Sequence, residues 1–270
     1  MTSDEERFAR LVEALRPWLD RLVFVGGWAH RLHRSVPGLD VPTYPPLMTR
    51  DVDLAFAPRS ALVGDIRAAL EAHGFHERLS SDHRPPVASY HLADDPSFYA
   101  EFLVPSSGGG VRRDGTLDAT LVEAGVSAQQ LRHLDVLLFS PYDLELSVSG
   151  AVPVSVPAMI KIPNPASFIA QKLLIAEARP PEKRASDLLY VHDTIELFAG
   201  RLEEVGAEWR ERIAPMMARK TLATLDRCVA RESLAVSDIL RRAAAIVPGR
   251  ALDPASMRAV LADGLATVFS

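Results

Sequence analysis

Phe8, Leu11, Val12, Leu15 and Leu19 recur at helical spacing behind Ser3-Asp4-Glu5-Glu6. That tetrapeptide has the form of a capping box, so the pattern predicts an amphipathic first helix. The apolar run Leu22-Val23-Phe24-Val25 reads as a short buried strand, ended by Gly26-Gly27 at the mouth of a helix from Trp28 to His33. Arg34 to Thr49 holds four prolines and a glycine and is expected to be a long loop. Asp51 to Phe56 reads as a strand, and Ser60 to His73 as a helix stopped by Gly74. Phe75 to Ser80, Val87 to Leu92 and Phe98 to Val104 follow as strands with turns rich in Asp, Pro and Ser. Ser106-Ser107-Gly108-Gly109-Gly110, continuing through Arg112, Arg113 and Gly115, is expected to be a flexible excursion. Val136 to Phe139, Leu144 to Val148 and Val152 to Val156 read as further short strands.

After Pro157 the pattern changes. Pro163-Asn164-Pro165 precedes a helix from Ala166 to Ala178, and helical periodicity recurs over Lys183–Ala199, Leu202–Met217, Leu222–Ala230, Val236–Ala245 and Pro254–Val268. The chain is therefore expected to be an α+β protein, with a mixed-sheet domain over 1–160 followed by a helical domain over 161–270. No internal repeat is visible.

Composition narrows the chemistry. Hydrophobic residues make up 48% of the 270 positions and charged residues 24%, the balance of a soluble globular chain. A net charge of −5 argues against a surface that coats nucleic acid generally, while leaving room for a local basic groove. The single cysteine, Cys228, excludes an intramolecular disulfide and a cysteine-based zinc site, and its helical context predicts an apolar filler. The acidic N-terminus is unlike a signal peptide and no apolar run has the length of a membrane span, so a cytoplasmic protein is expected. Only four lysines occur, Lys161, Lys172, Lys183 and Lys220, all in the C-terminal half.

The candidate chemistry begins on the strand from Asp51. Side chains alternate across a strand, so Asp51 and Asp53 share a face while Val52 and Leu54 take the other. Two acids held together are unfavourable without a cation between them, and oxygen ligands of this kind suit Mg²⁺ or Mn²⁺. Gly26 and Gly27, opening a helix, present free N–H groups and a dipole that favour phosphate. Glu101 sits inside the apolar run Phe98-Tyr99-Ala100-Glu101-Phe102-Leu103-Val104, where a charge needs an arginine partner or a metal. Lys172 lies on the inward stripe of its helix, among Phe168, Ile169, Ile175 and Ala176, and is either a snorkelling lysine or a cation facing a cleft. Lys183 and Asp187 open the next helix; Asp187 pairs with its surface neighbours or holds Lys172 in place.

The order of strand, Gly26-Gly27, helix, Asp51-Val52-Asp53 and a later acidic strand at Glu101 resembles the nucleotidyltransferase fold of the DNA polymerase β type. Trp28-Ala29 after the glycines is similar to aminoglycoside nucleotidyltransferases. Pro163-Asn164-Pro165, Lys172 and Lys183 through Asp187 look more like bacterial nucleotidyltransferase-like proteins related to AbiEii toxins. The resemblance covers roughly residues 20 to 200. It departs from the family at Gly27, where a serine is common, and in the long spacing from Gly27 to Asp51, which leaves the loop from Arg34 to Thr49 as a candidate substrate-binding insertion.

The resemblance implies a nucleotidyltransferase-type mixed sheet with flanking helices and transfer of a nucleoside monophosphate from an NTP to an acceptor hydroxyl. Asp51 and Asp53 would hold Mg²⁺ (or Mn²⁺), with Glu101 as third ligand or base. Gly26 and Gly27 would bind the triphosphate with help from Lys172, Lys183 and Asp187. The acceptor would be a tRNA end, another RNA, a protein hydroxyl or a small molecule, and a toxin–antitoxin or phage-defence role with an antitoxin partner is implied. A non-catalytic binding module of the same fold and an aminoglycoside-type resistance enzyme are the alternatives. His30 and His33 stand three apart without further ligands at zinc spacing, and Arg241 and Arg242 read as a solvated helix face.

Overall fold

The computed structural model describes residues 3–57, 62–80, 87–106 and 120–270. The chain gathers into two compact units. The first comprises Met1–Ser35 and Met48–Pro163, the second Val36–Leu47 and Asn164–Ser270.

The first unit is built on a mixed sheet of nine strands among the described residues. They are β1 (Leu22–Val25), β2 (Asp51–Phe56), β3 (Phe75–Ser80), β4 (Val87–Leu92), β5 (Asp95–Pro105), β6 (Thr120–Glu123), β7 (Val126–Leu131), β8 (Tyr142–Leu146) and β9 (Ala158–Ile162). The spatial order is β3-β4-β5-β2-β1-β9-β8, with β7 also beside β5 and β6 beside β7. β2 runs antiparallel to β1 and parallel to β5, which places the acidic strand at the centre.

On the central strands one sheet face is apolar, with Phe24, Leu54, Ala100, Phe102 and Tyr90 fully buried there. Helices α1 (Asp4–Ala14) and α2 (Gly26–His33) seal this face. Phe8 stacks on Trp28 at 4.2 Å and tilts against Phe24 at 5.1 Å, and Trp28 meets Phe98 edge-on at 6.1 Å. Fully burying an aromatic of this size contributes about 1.5–3 kcal/mol. The Ser3–Glu6 capping box that starts α1 is present in both halves. α3 (Ile66–Ala72), capped by Asp65, adds Ile66 and Leu70 to the core.

Several local expectations change. Leu134–Leu137 is a short helix, α4, where Val136 to Phe139 suggested a strand; its apolar run is buried on three of four residues, so periodicity alone did not separate the two. Val152 to Val156 is irregular, and the strand lies just beyond it as β9, whose Ala158, Ile160 and Ile162 alternate inward. β6 and β7 had no counterpart in the hydrophobic pattern, because Ser127, Gln129 and Gln130 dilute it. The expected helix start at Ser60 and the glycine-rich stretch from Ser107 to Gly115 lie outside the described residues.

The second unit is helical. α5 (Pro165–Ile175) has Pro165 in its first turn and Asn164 as cap, accepting from the Ala166 N–H at 2.8 Å. α6 (Pro181–Leu197), α7 (Leu202–Glu208), α8 (Arg219–Leu234), α9 (Asp238–Ala244) and α10 (Pro254–Phe269) follow. The helix expected over Leu202–Met217 breaks into α7, a π turn at Trp209–Ile213 and a 3-10 turn containing Pro215. Cys228 is buried within α8, as an apolar filler would be. The segment 36–47 joins this unit through Tyr44, whose hydroxyl donates to Glu196 at 2.6 Å. Arg250 stacks on the Tyr44 ring at 3.6 Å and pairs with Asp193 at 2.7 Å and Glu196 at 3.0 Å.

Candidate active site

Strand register places the acids. Asp53 on β2 stands beside Glu101 on β5, and Asp51 beside Tyr99. Register partners in neighbouring strands point to the same side, so Asp51, Asp53, Glu101 and Tyr99 share the polar face of the sheet. All four are half-buried.

Their electrostatics agree with that placement. Burial, then the charge of Asp51, pushes the Glu101 carboxyl above its ordinary range. Burial and the negative charges of Asp51, Glu101 and Asp53 push the Tyr99 hydroxyl up to about 12. Thr49 donates its hydroxyl to Asp51, fixing that side chain from the strand's entry.

The glycine turn lies directly against this group. Val25 is the register partner of Asp53, and Gly26 follows at φ +64° as the first residue of α2. A Cβ on Gly26 would stand 2.1 Å from Asp53 Oδ2, so only glycine permits the approach. α2 begins on Val25 without a side-chain cap, and its dipole favours negative charge at this end. Gly26 thus lies against Asp53, with Gly27 next to it in the first turn of α2.

Lys172, Lys183 and Asp187 belong to the second unit. Lys172 Nζ donates to Asp187 Oδ1 at 2.8 Å across α5 and α6, with both side chains buried. Arg179 approaches the other oxygen of Asp187 at 3.4 Å. Lys172 also lies near the rings of Phe168 and Tyr190, at 5.4 and 5.0 Å. Lys183 is exposed at the start of α6.

The described residues contain one group of three ligand side chains whose ligand atoms all fall within 4.8 Å of one another. It is His192, Asp193 and Glu196, not the acids of the sheet. The Arg250 guanidinium already compensates two of its members, so this group is a charge network centred on arginine. The sheet acids differ in chemistry. Glu101 is pushed up by burial and a like charge, and an all-oxygen set in that state fits a hard divalent cation.

His30 and His33 are buried on α2, and His33 Nε2 bonds to the Pro163 carbonyl at 2.8 Å, a structural contact within the first unit. Arg241 and Arg242 are ion-paired at the surface with Asp238 and Glu182. Tyr99, Thr49, Tyr44 and Arg250 were not singled out in the sequence. Tyr99 was legible, being two residues before Glu101 on a strand; Arg250 carried no signal, standing 57 positions from Asp193.

A mixed sheet with acids on its central strands, next to a glycine turn that opens a helix, makes this an α+β protein. The chain belongs to the nucleotidyltransferase family, whose model matches residues 4–214, well over half of its length. Its general activity is therefore that of a transferase moving nucleotidyl groups, with an NTP as substrate. No curated protein matches the chain. Among the described residues, no helix is long and apolar enough to cross a membrane.

Proposed function

We propose that the first unit transfers a nucleoside monophosphate from an NTP to an acceptor hydroxyl, using Asp51, Asp53 and Glu101. The observation that carries this reading is the shared sheet face of the three carboxylates, with Gly26 pressed against Asp53. Gly26 and Gly27 turn their backbone toward the triphosphate, and the dipole of α2 favours its charge. Asp51, Asp53 and Glu101 would hold Mg²⁺ or Mn²⁺, which supplies charge neutralisation and Lewis acidity at the transferring phosphoryl group.

Glu101 would serve either as the third ligand or, left off the metal, as the base that takes the acceptor's proton, a role supported by burial and the Asp51 charge, which raise its proton affinity. The acceptor oxygen then forms a bond to the α-phosphorus. The bond from that phosphorus to the bridging oxygen breaks, and pyrophosphate leaves with the electron pair. Of the two lysines expected to offset phosphate charge, Lys172 is committed to Asp187, whereas Lys183 is exposed. A defence-toxin role and an antitoxin partner rest on the sequence resemblance alone.

The test is incubation with each α-labelled NTP, Mg²⁺, and total RNA, protein extract or aminoglycosides in turn. Label transfer is expected to one pool, and Asp53→Asn should lower it by about a thousandfold or more, in the range known for lost charge stabilisation of a transition state. No transfer to any pool, with NTP binding retained, sinks catalysis and favours a binding module.

A further inference from the structure

The loop from Arg34 to Thr49, a candidate substrate-binding insertion on sequence grounds, has no part in the transfer step. Its residues 36–47 fold with the second unit. Together with α6, the start of α7 and α10 they enclose a cleft of about 670 Å³, formed wholly by that unit. Small-molecule sites have volumes of roughly 300–1,000 Å³, so the cleft is of ligand size.

Its walls are largely apolar. Val41 and Pro42 line it together with Ile195 of α6, Leu202 of α7 and Val260 of α10. Ile195 and Gly264 are buried and mark its deep end. A Cβ on Gly264 would stand 2.3 Å from Ile195 Cγ2, so α10 packs on α6 there with room for glycine only. Val41, at the other extreme, stays 41% exposed, an apolar side chain left to solvent beside an open cleft.

The charges of the cleft are of one sign. Asp40, Glu196 and Asp263 line it, and among the described residues no lysine, arginine or histidine does. Glu196 is compensated, accepting from the Tyr44 hydroxyl and pairing with Arg250. Asp40 and Asp263 are exposed and form no ion pair among the described residues. We propose that this cleft is a second ligand site and takes a small organic cation. An apolar body lies against Val41, Pro42, Ile195 and Leu202, and an ammonium group meets Asp40 and Asp263. The same two carboxylates repel phosphates and other anions, so the site does not suit a nucleotide. The site goes beyond nucleotidyl transfer and stands whether or not the sheet acids catalyse it.

The experiment is a fluorescence titration of the full chain with dansylcadaverine, a naphthalene ring tethered to a primary ammonium, and with its neutral N-pentyl and anionic carboxypentyl analogues. Saturable binding with blue-shifted emission is expected for the cation, weaker binding for the neutral analogue and the weakest for the anion. Asp40→Asn and Asp263→Asn, both at exposed positions, should each weaken the cation roughly 2- to 5-fold and leave the neutral analogue unchanged. Ala199→Trp, at an exposed lining position, should fill the cleft and remove binding. Bound dansylcadaverine should also slow proteolytic cutting within 36–47, since that segment lines the site. Absence of saturable binding overturns the proposal, as does equal binding of the three analogues or binding that these variants leave unchanged. Binding lost in Asp53→Asn but kept in Asp40→Asn and Asp263→Asn would put the probe at the sheet acids and overturn it too. An amphipathic Lys/Leu peptide that binds where dansylcadaverine fails would give the cleft to a basic protein segment instead.

Discussion

Gly26 and Gly38 share a left-handed backbone, at φ +64° and +78°, but not a neighbourhood. An added Cβ at Gly38 meets nothing within 4 Å, while at Gly26 it meets the Asp53 carboxylate. Gly38→Ala should therefore cost only the conformational strain of about 1–2 kcal/mol, with transfer activity unchanged. Gly26→Ala should cost more and also displace Asp53, removing most activity; melting temperatures and initial rates of the two variants check the contrast.

His33 makes a second prediction at this scale. Burial drives its imidazole down to about 4, only partly offset by the Pro163 carbonyl. The unfolded chain binds a proton near 6.5, whereas the folded chain resists it until about 4. The stability held by the neutral ring is thus complete above about 6.5 and is lost as pH falls through that window, by on the order of 3 kcal/mol. Urea midpoints between pH 7.5 and 4.5 should show the decline, and His33→Gln should flatten it.

At the scale of elements, α5 and α6 are joined by a buried ion pair. Lys172→Ala leaves Asp187 buried with Arg179 at 3.4 Å as its remaining ion pair among the described residues, and should destabilise the chain by about 3 kcal/mol. The Lys172→Met, Asp187→Leu double variant should recover most of that loss in urea unfolding, because a packed apolar pair needs no compensation.

The same elements show what a sequence discloses. β1, β2, β3 and β4 have the bounds that local alternation and apolar runs predict; β1, β2 and β4 each send one full side into the core, and β3 is anchored there by Phe75. The two aspartates and Glu101 were visible because charges inside apolar runs stand out. β9 was displaced and α4 misread because short apolar runs suit either a strand or a buried helix. Register was out of reach. Nothing local in Phe75 to Leu92 says that His91 will stack on Tyr99 or that Arg78 will extend the row of Glu101, since strand pairing is decided by the whole sheet.

At the scale of the whole molecule, the first unit is interrupted by a segment that belongs elsewhere. Residues 36–47 are drawn into the helical unit by Tyr44, Glu196 and Arg250, and burial together with the nearby Asp193 and Glu196 raises the Tyr44 hydroxyl far above its usual range. Arg250→Ala removes the guanidinium that compensates Asp193 and Glu196 and stacks on Tyr44. It should cost about 3–5 kcal/mol, and limited proteolysis should cut within 36–47 sooner than in the parent chain.

That interruption has a consequence for biosynthesis. Tyr44 leaves the ribosome 152 residues ahead of Glu196, and Arg250 emerges later still. During translation the proline-rich segment must wait, unmoored, while the strands that flank it collapse around one another. A nascent chain halted before Arg250 would therefore carry a finished sheet and a dangling strap.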